Sequence, residues 1–295
     1  MKVEIKKVDK LKRTARVEVS GDEFQNEREA IFKEHTKKLK VPGFRPGTAP
    51  RELLEKHHGS YLQDALLKKA LPYFYQKALQ QEGLTAASLP RIFDVEVSPA
   101  HLAFSAEFET QPQLEINEGL YKGISVKNSP IAVEEIEVEK VITNVKEQIK
   151  KTLNKDLTDA EIAKWASYPD LETFRQAIRV QLSVEKIKAR RQDIENQIRA
   201  HLLKNVKADL PKSQIEEYHR QLVNRELYAL QYRGLSQGDI EKYKKEIETK
   251  LEPAAADEVK LFYIFEAIAR KEGFAADDDM IETALSFILS QAHYK

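Results

Sequence analysis

The sequence predicts an α+β amino-terminal domain, a small antiparallel sheet with helices, followed by an elongated all-α carboxy-terminal part. Three observations predict it. Within residues 1–112, apolar residues alternate with period two at both ends and take helical spacing in between. From Val138 the apolar residues recur at steps of four and three, the seam of a helix that pairs lengthwise with another. One-third of the 295 residues are charged and 41% are hydrophobic, with only 10 Gly and 11 Pro, a balance that suits long solvated helices.

The elements follow in order. Val3, Ile5 and Val8 read as a short strand, and Ala15, Val17 and Val19 as a second with one polar face. Ser20 and Glu23 have capping-box spacing and open a helix that carries Phe24, Ile31, Phe32, His35 and Leu39 and stops at Val41-Pro42-Gly43. Pro50 suits the first turn of the next helix. That helix runs through Leu53, Leu54, Leu62, Leu66, Ala70 and Phe74, interrupted near Gly59 and bent by Pro72. Ile92, Val95 and Val97 form a strand, and Leu102, Phe104, Ala106 and Phe108 another. The order strand, strand, helices, strand, strand is an α+β layer.

Beyond Pro130 the chain is expected to be almost wholly helical. Val138, Ile142, Val145, Ile149 and Thr152 form the seam; Asp170 caps a long helix through Ile187 and Leu202; Pro211 starts another, closed at Gly234; and two more cover roughly 236–271, with a break near Pro253, and 277–292. The expected divisions are 1–112, an extended linker and long arm helix over 113–156, and a helical domain over 157–295.

Lys plus Arg and Asp plus Glu both number 48, which disfavours a general nucleic-acid coat. The chain has no Cys, so disulfides, thiolate metal sites and a cysteine nucleophile are excluded. The start has no apolar core of a secretory signal, and no window reaches a membrane span; a cytosolic protein is expected. No two of the seven His lie four apart on one helix, and no nucleophile elbow or phosphate loop occurs. No metal, cofactor or catalytic site is therefore expected. The acidic pairs at helix starts, Glu134/Glu135 and Asp277/Asp278/Asp279, favour the positive end of the helix dipole.

One segment stands apart. Lys37, Lys38, Lys40, Arg45 and Arg51 fall together with no acidic residue among them, around Gly43-Phe44-Arg45-Pro46-Gly47-Thr48-Ala49-Pro50. Two glycines and three prolines stiffen a turn between two helices, with an aromatic and an arginine at its tip. Residues 1–60 hold 15 basic and 10 acidic residues, so positive charge gathers at one end of a neutral chain.

Gly43-Phe44-Arg45-Pro46-Gly47, with Pro50 behind it and a basic helix end before it, resembles the ribosome-docking signature of the bacterial trigger factor family. The opening strands, Glu107-Phe108-Glu109-Thr110-Gln111-Pro112, the stretch from Leu120 to Ile142 and residues 157–232 are similar to that family as well. The sequence departs from it in three ways. Thr48 stands where the family usually has a basic residue, Lys150-Lys151-Thr152-Leu153 runs almost directly into Leu157-Thr158-Asp159 with no room for the family's prolyl isomerase domain, and the carboxy terminus is shorter.

The resemblance implies an ATP-independent chaperone, not an enzyme, that docks at the ribosomal exit tunnel. Its partners would be protein and rRNA of the large subunit and unfolded or nascent polypeptides; no membrane is expected, and a homodimer is a candidate state because exposed apolar arms off the ribosome tend to shield one another. The docking residues would be Gly43, Phe44, Arg45, Pro46, Gly47, Lys37, Lys38 and Lys40. The client-binding residues would be Tyr218, Leu222, Tyr228, Tyr232, Phe262, Tyr263 and Phe287. The alternative is a ribosome- or RNA-binding translation factor without chaperone activity, disfavoured by zero net charge and by the lack of aromatic base-stacking motifs.

Overall fold

The structure is a computed structural model; it describes residues 1–37, 39–45 and 48–295. The chain divides into two compact units, one of Met1–Leu114 with Ala208–Tyr263 and one of Glu115–Lys207 with Ile264–Lys295. The α+β architecture and the helical remainder are as the sequence predicts.

In the first unit, β1 (Lys2–Lys7), β2 (Lys12–Ser20), β3 (Arg91–Ser98) and β4 (His101–Glu109) form an antiparallel sheet in the order β1-β2-β4-β3. Register follows the alternation: Ala15, Val17 and Val19 lie opposite Ala106, Phe104 and Leu102, and all six are buried. Helices α1 (Asp22–Thr36) and α2 (Arg51–Gln81) close this face with Phe24, Ile31, Leu66, Ala70 and Phe74. Each of the larger side chains, Phe24, Ile31, Leu66 and Phe74, contributes about 1.5–3 kcal/mol on burial.

Several local expectations are corrected. Val8 lies outside β1. The cap of α1 is Gly21, at φ 69, with no side-chain bond; Glu23 instead receives the Met1 amino group at 2.8 Å and Lys77 at 2.6 Å, so its carboxylate is not available for a capping box. Helix α1 ends at Thr36, before Val41. In β3 the register shifts between Phe93 and Glu96, with Asp94 at φ 50. That bulge explains the imperfect alternation: Ile92 and Val97 pack on the core while Val95 is exposed. In α2 the break falls at His58 (φ −133, ψ 20), and the helix continues through Pro72.

The same unit includes α6 (Lys212–Tyr232) and α7 (Gln237–Glu272) as far as Tyr263; α7 runs through Pro253 without the expected break. The Ser213 amide and hydroxyl donate to Glu109 Oε2 at 2.8 and 2.6 Å. Gln214 Nε2 donates to the Ala87 carbonyl at 2.6 Å, and its Oε1 accepts from the Tyr263 hydroxyl at 2.6 Å.

In the second unit, α3 (Glu135–Leu153) buries Val138, Ile142 and Ile149 against Ile162 and Ala163 of α4 (Asp159–Trp165) and Phe174 and Ile178 of α5 (Leu171–Asn205). The seam therefore packs on two helices. Helix α4 falls within the stretch expected to be almost wholly helical, though no separate element is marked there; Thr158 and Glu161 form the capping box that starts it. Asp170 caps α5 by accepting from Thr173 N–H at 2.8 Å, and Ile187 is exposed. The unit is completed by α8 (Met280–Gln291) and a short parallel pair, β5 (Ser125–Val126) with β6 (His293–Tyr294), an exception to the expected helical content. Among the described residues no helix is long and apolar enough to cross a membrane.

Candidate functional site: the loop between α1 and α2

Residues 37–50 connect the two helices of the first unit. Phe44 N–H donates to the Val41 carbonyl at 3.1 Å, with Pro42 and Gly43 between them and Gly43 at φ 84. That is a type II turn, in which proline suits the second position and the third needs a positive φ that glycine adopts without strain. The Thr48 amide and hydroxyl both donate to the Arg45 carbonyl, at 3.0 and 2.8 Å. Thr48 is thus tied into the loop's own backbone.

The loop rests on a small core of its own. Val41, Leu54 and Leu62 are buried together, with Phe32, Leu39, Ala49 and Leu53 around them. Arg51 stacks 4.7 Å over the Phe32 ring and its Nε pairs with Glu55 at 3.0 Å, so this arginine braces the loop's exit. His58 Nε2 lies 2.9 Å from the Lys40 carbonyl, and His35 Nδ1 lies 3.1 Å from the Tyr61 hydroxyl.

At the tip, Phe44 is 42% exposed and Gly43 and Arg45 are exposed. Lys37 and Lys40 are exposed as well. Among the described residues, Lys37, Lys40 and Arg45 form no ion pair. Lys38, Pro46 and Gly47, also expected in this set, lie outside the described residues. The arrangement offers a bidentate guanidinium fork and two ammonium groups to anionic oxygens, and an aromatic face to an apolar pocket.

The aromatic set is scattered. Tyr228 and Tyr232, four apart on α6, are 72% and 95% exposed, and Phe262 is 41% exposed. Tyr218 is half-buried. Two expectations are corrected: Leu222 is buried, and Tyr263 is 1% exposed with its hydroxyl spent on Gln214. Both are interior residues of the first unit, because helical spacing marks the packed face as readily as an open one. Phe287, in the second unit, is half-buried, packed edge-on against Phe274 at 5.4 Å and under Lys122 at 5.6 Å.

The contribution of His58 was not read from the sequence. The signal was the His57-His58-Gly59 interruption of an otherwise regular helix. No group of three or more metal-ligating side chains occurs among the described residues.

Two family models match the chain. Bacterial trigger factor protein (TF) matches residues 1–145, and Bacterial trigger factor protein (TF) C-terminus matches residues 170–294. The interval between them holds the end of α3 and α4, leaving no room for a further domain. A trigger factor of Natranaerobius thermophilus is 32% identical over 144 residues, covering 48% of this chain and 32% of that protein. One of Bacillus cereus strain B4264 is 31% identical over 167 residues, covering 54% of this chain and 38% of that one. The chain spans about a third of the length of the curated relatives it matches. A solved chain described under promiscuous substrate recognition in folding and assembly activities of the trigger factor chaperone shares the fold with a TM-score of 0.52 at 14% identity, covering 98% of this chain and 94% of that one.

Proposed function

The chain belongs to the trigger factor family, and from that premise we propose that it is an ATP-independent chaperone. In this reading it docks on the large ribosomal subunit at the exit tunnel and shields nascent or unfolded polypeptides in the cytoplasm. The observation that carries the docking reading is the exposed Phe44-Arg45 pair on a loop seated over Val41, Leu54 and Leu62. A stiff loop loses little conformational freedom on binding, so more of its contact energy appears as affinity. Phe44 supplies an apolar anchor of about 1.5–3 kcal/mol. Arg45 supplies a charge-assisted bond of similar size. Lys37 and Lys40 add screened attraction to rRNA phosphates; with about three phosphates neutralised, raising salt from 50 to 200 mM weakens binding on the order of 30-fold.

Client holding is assigned to exposed apolar side chains outside the loop, Tyr228, Tyr232 and Phe262 first among them. Single aromatic contacts are weak against the association term of about 4–15 kcal/mol, so binding is multi-site and fast, with no nucleotide needed. We assign no prolyl isomerase activity to the chain, since the two matched ranges leave no room for that domain between them. Two assays test the proposal. Ribosome co-sedimentation tests docking, and suppression of aggregation of a refolding client without ATP tests holding. Failure to suppress aggregation at several-fold molar excess would reject the chaperone reading.

A further inference from the structure

Helix α2 carries two separate cores. Its first part places Leu53 and Leu54, with Leu62, under the loop; from Leu66 onward it packs on the sheet through Ala70 and Phe74. Within the first part, between Leu54 and Leu62, stands His58, the one residue of α2 with non-helical dihedrals. Its Nε2 lies 2.9 Å from the Lys40 carbonyl. A carbonyl only accepts, so the imidazole carries a proton on Nε2 and donates it. Gly59 follows with helical dihedrals and open space where a Cβ would stand, so the break rests on His58 alone. Lys40 is bonded to Val41, whose side chain is buried and whose carbonyl receives the Phe44 amide. Fixing the Lys40 carbonyl therefore fixes the entry to the turn that presents Phe44 and Arg45.

We propose that His58 is a positioning residue for the docking tip, a donor that pins the Lys40 carbonyl so that Phe44 and Arg45 are presented in one orientation. This rests on the docking reading above and deepens it. One neutral hydrogen bond corresponds to about a fivefold change in an equilibrium.

The test compares the full chain with H58L, which fills similar space without a donor, and H58Q, whose amide donates at comparable reach. Ribosome co-sedimentation and amide hydrogen exchange at Phe44 are read on each. The expected result is binding about fivefold weaker and Phe44 exchange about fivefold faster in H58L, with H58Q close to wild type. Wild-type values for H58L, or equal losses in H58L and H58Q, would overturn the proposal. If the wild type itself fails to pellet with ribosomes, the docking reading falls. The exchange data then decide alone: acceleration confined to H58L upholds the pin, and unchanged exchange overturns it.

Discussion

Glu109, the last residue of β4, caps α6 across 104 positions of sequence: its Oε2 accepts from the Ser213 amide at 2.8 Å and from the Ser213 hydroxyl at 2.6 Å. The first amides of a helix have no partner within it, and a carboxylate there also meets the positive end of the dipole. Pro211, which precedes the helix, makes no side-chain cap, so the cap comes from the sheet.

Glu109→Ala is expected to destabilise the chain by about 1–3 kcal/mol, the range for leaving such donors without their partner. Denaturant melts read the loss. Hydrogen exchange at Ser213 and Gln214 should accelerate with it. Exchange no different from wild type at those two amides would contradict the capping role.

A second prediction concerns pH. The buried Tyr121 hydroxyl donates to Glu272 at 2.5 Å, and Lys122 pairs with the same carboxylate at 2.9 Å. These two contacts, the hydroxyl first, hold Glu272 below its ordinary 4.5. Its contribution to stability is therefore present above that value and lost as pH falls through the lower folded value. Burial, then the bond to Glu272, pushes Tyr121 up to about 12. The folded state keeps the phenol protonated while the unfolded chain ionises it near pH 10. Stability then falls as pH rises from about 10 towards 12. Tyr121→Phe should cost about 1.5–3 kcal/mol at pH 7, with the gap to wild type narrowing at both pH 3 and pH 11. A gap constant across that range, measured by urea melts, would contradict the assignment.

A third prediction concerns clients. Tyr228 and Tyr232 are four apart on one face of α6 and largely exposed, so replacing both with Ser should leave the melting temperature within a degree or two and weaken aggregation suppression at least about tenfold, each ring being about half-covered by the client and contributing about 0.7–1.5 kcal/mol. Tyr263→Ser is the contrasting variant: that residue is buried, and its loss should lower stability. Equal suppression by wild type and the Tyr228/Tyr232 variant would remove these two residues from the holding surface.

Much of the fold was legible because its signals are local. The alternation of Ala15, Val17 and Val19 against Leu102, Phe104 and Ala106 survives as cross-strand register, and the four-three seam of α3 survives as the buried row Val138, Ile142 and Ile149. What was illegible depends on distant partners. Glu23 has the spacing of a capping box yet is claimed by the Met1 amino group and Lys77. The β5–β6 pair joins two-residue strands from opposite ends of the second unit's sequence, too short to show a period. The same limit applies to the candidate site. Gly-Phe-Arg marked the loop, since a turn residue beside an aromatic and a cation is a local pattern. The burial of Leu222 and Tyr263 was not visible, because spacing places residues on one face without saying what covers it.

On the proposed function, Phe44 and Arg45 anchor the chain to the ribosome. Co-sedimentation with purified ribosomes at 50 mM salt, comparing wild type with the Phe44→Ala/Arg45→Ala variant, tests it most directly. Both replaced side chains are exposed, so the variant should fold normally. The wild type is expected to pellet and the double variant to stay in the supernatant, with wild-type binding falling steeply as salt is raised. Pelleting of the double variant to the wild-type extent would contradict it.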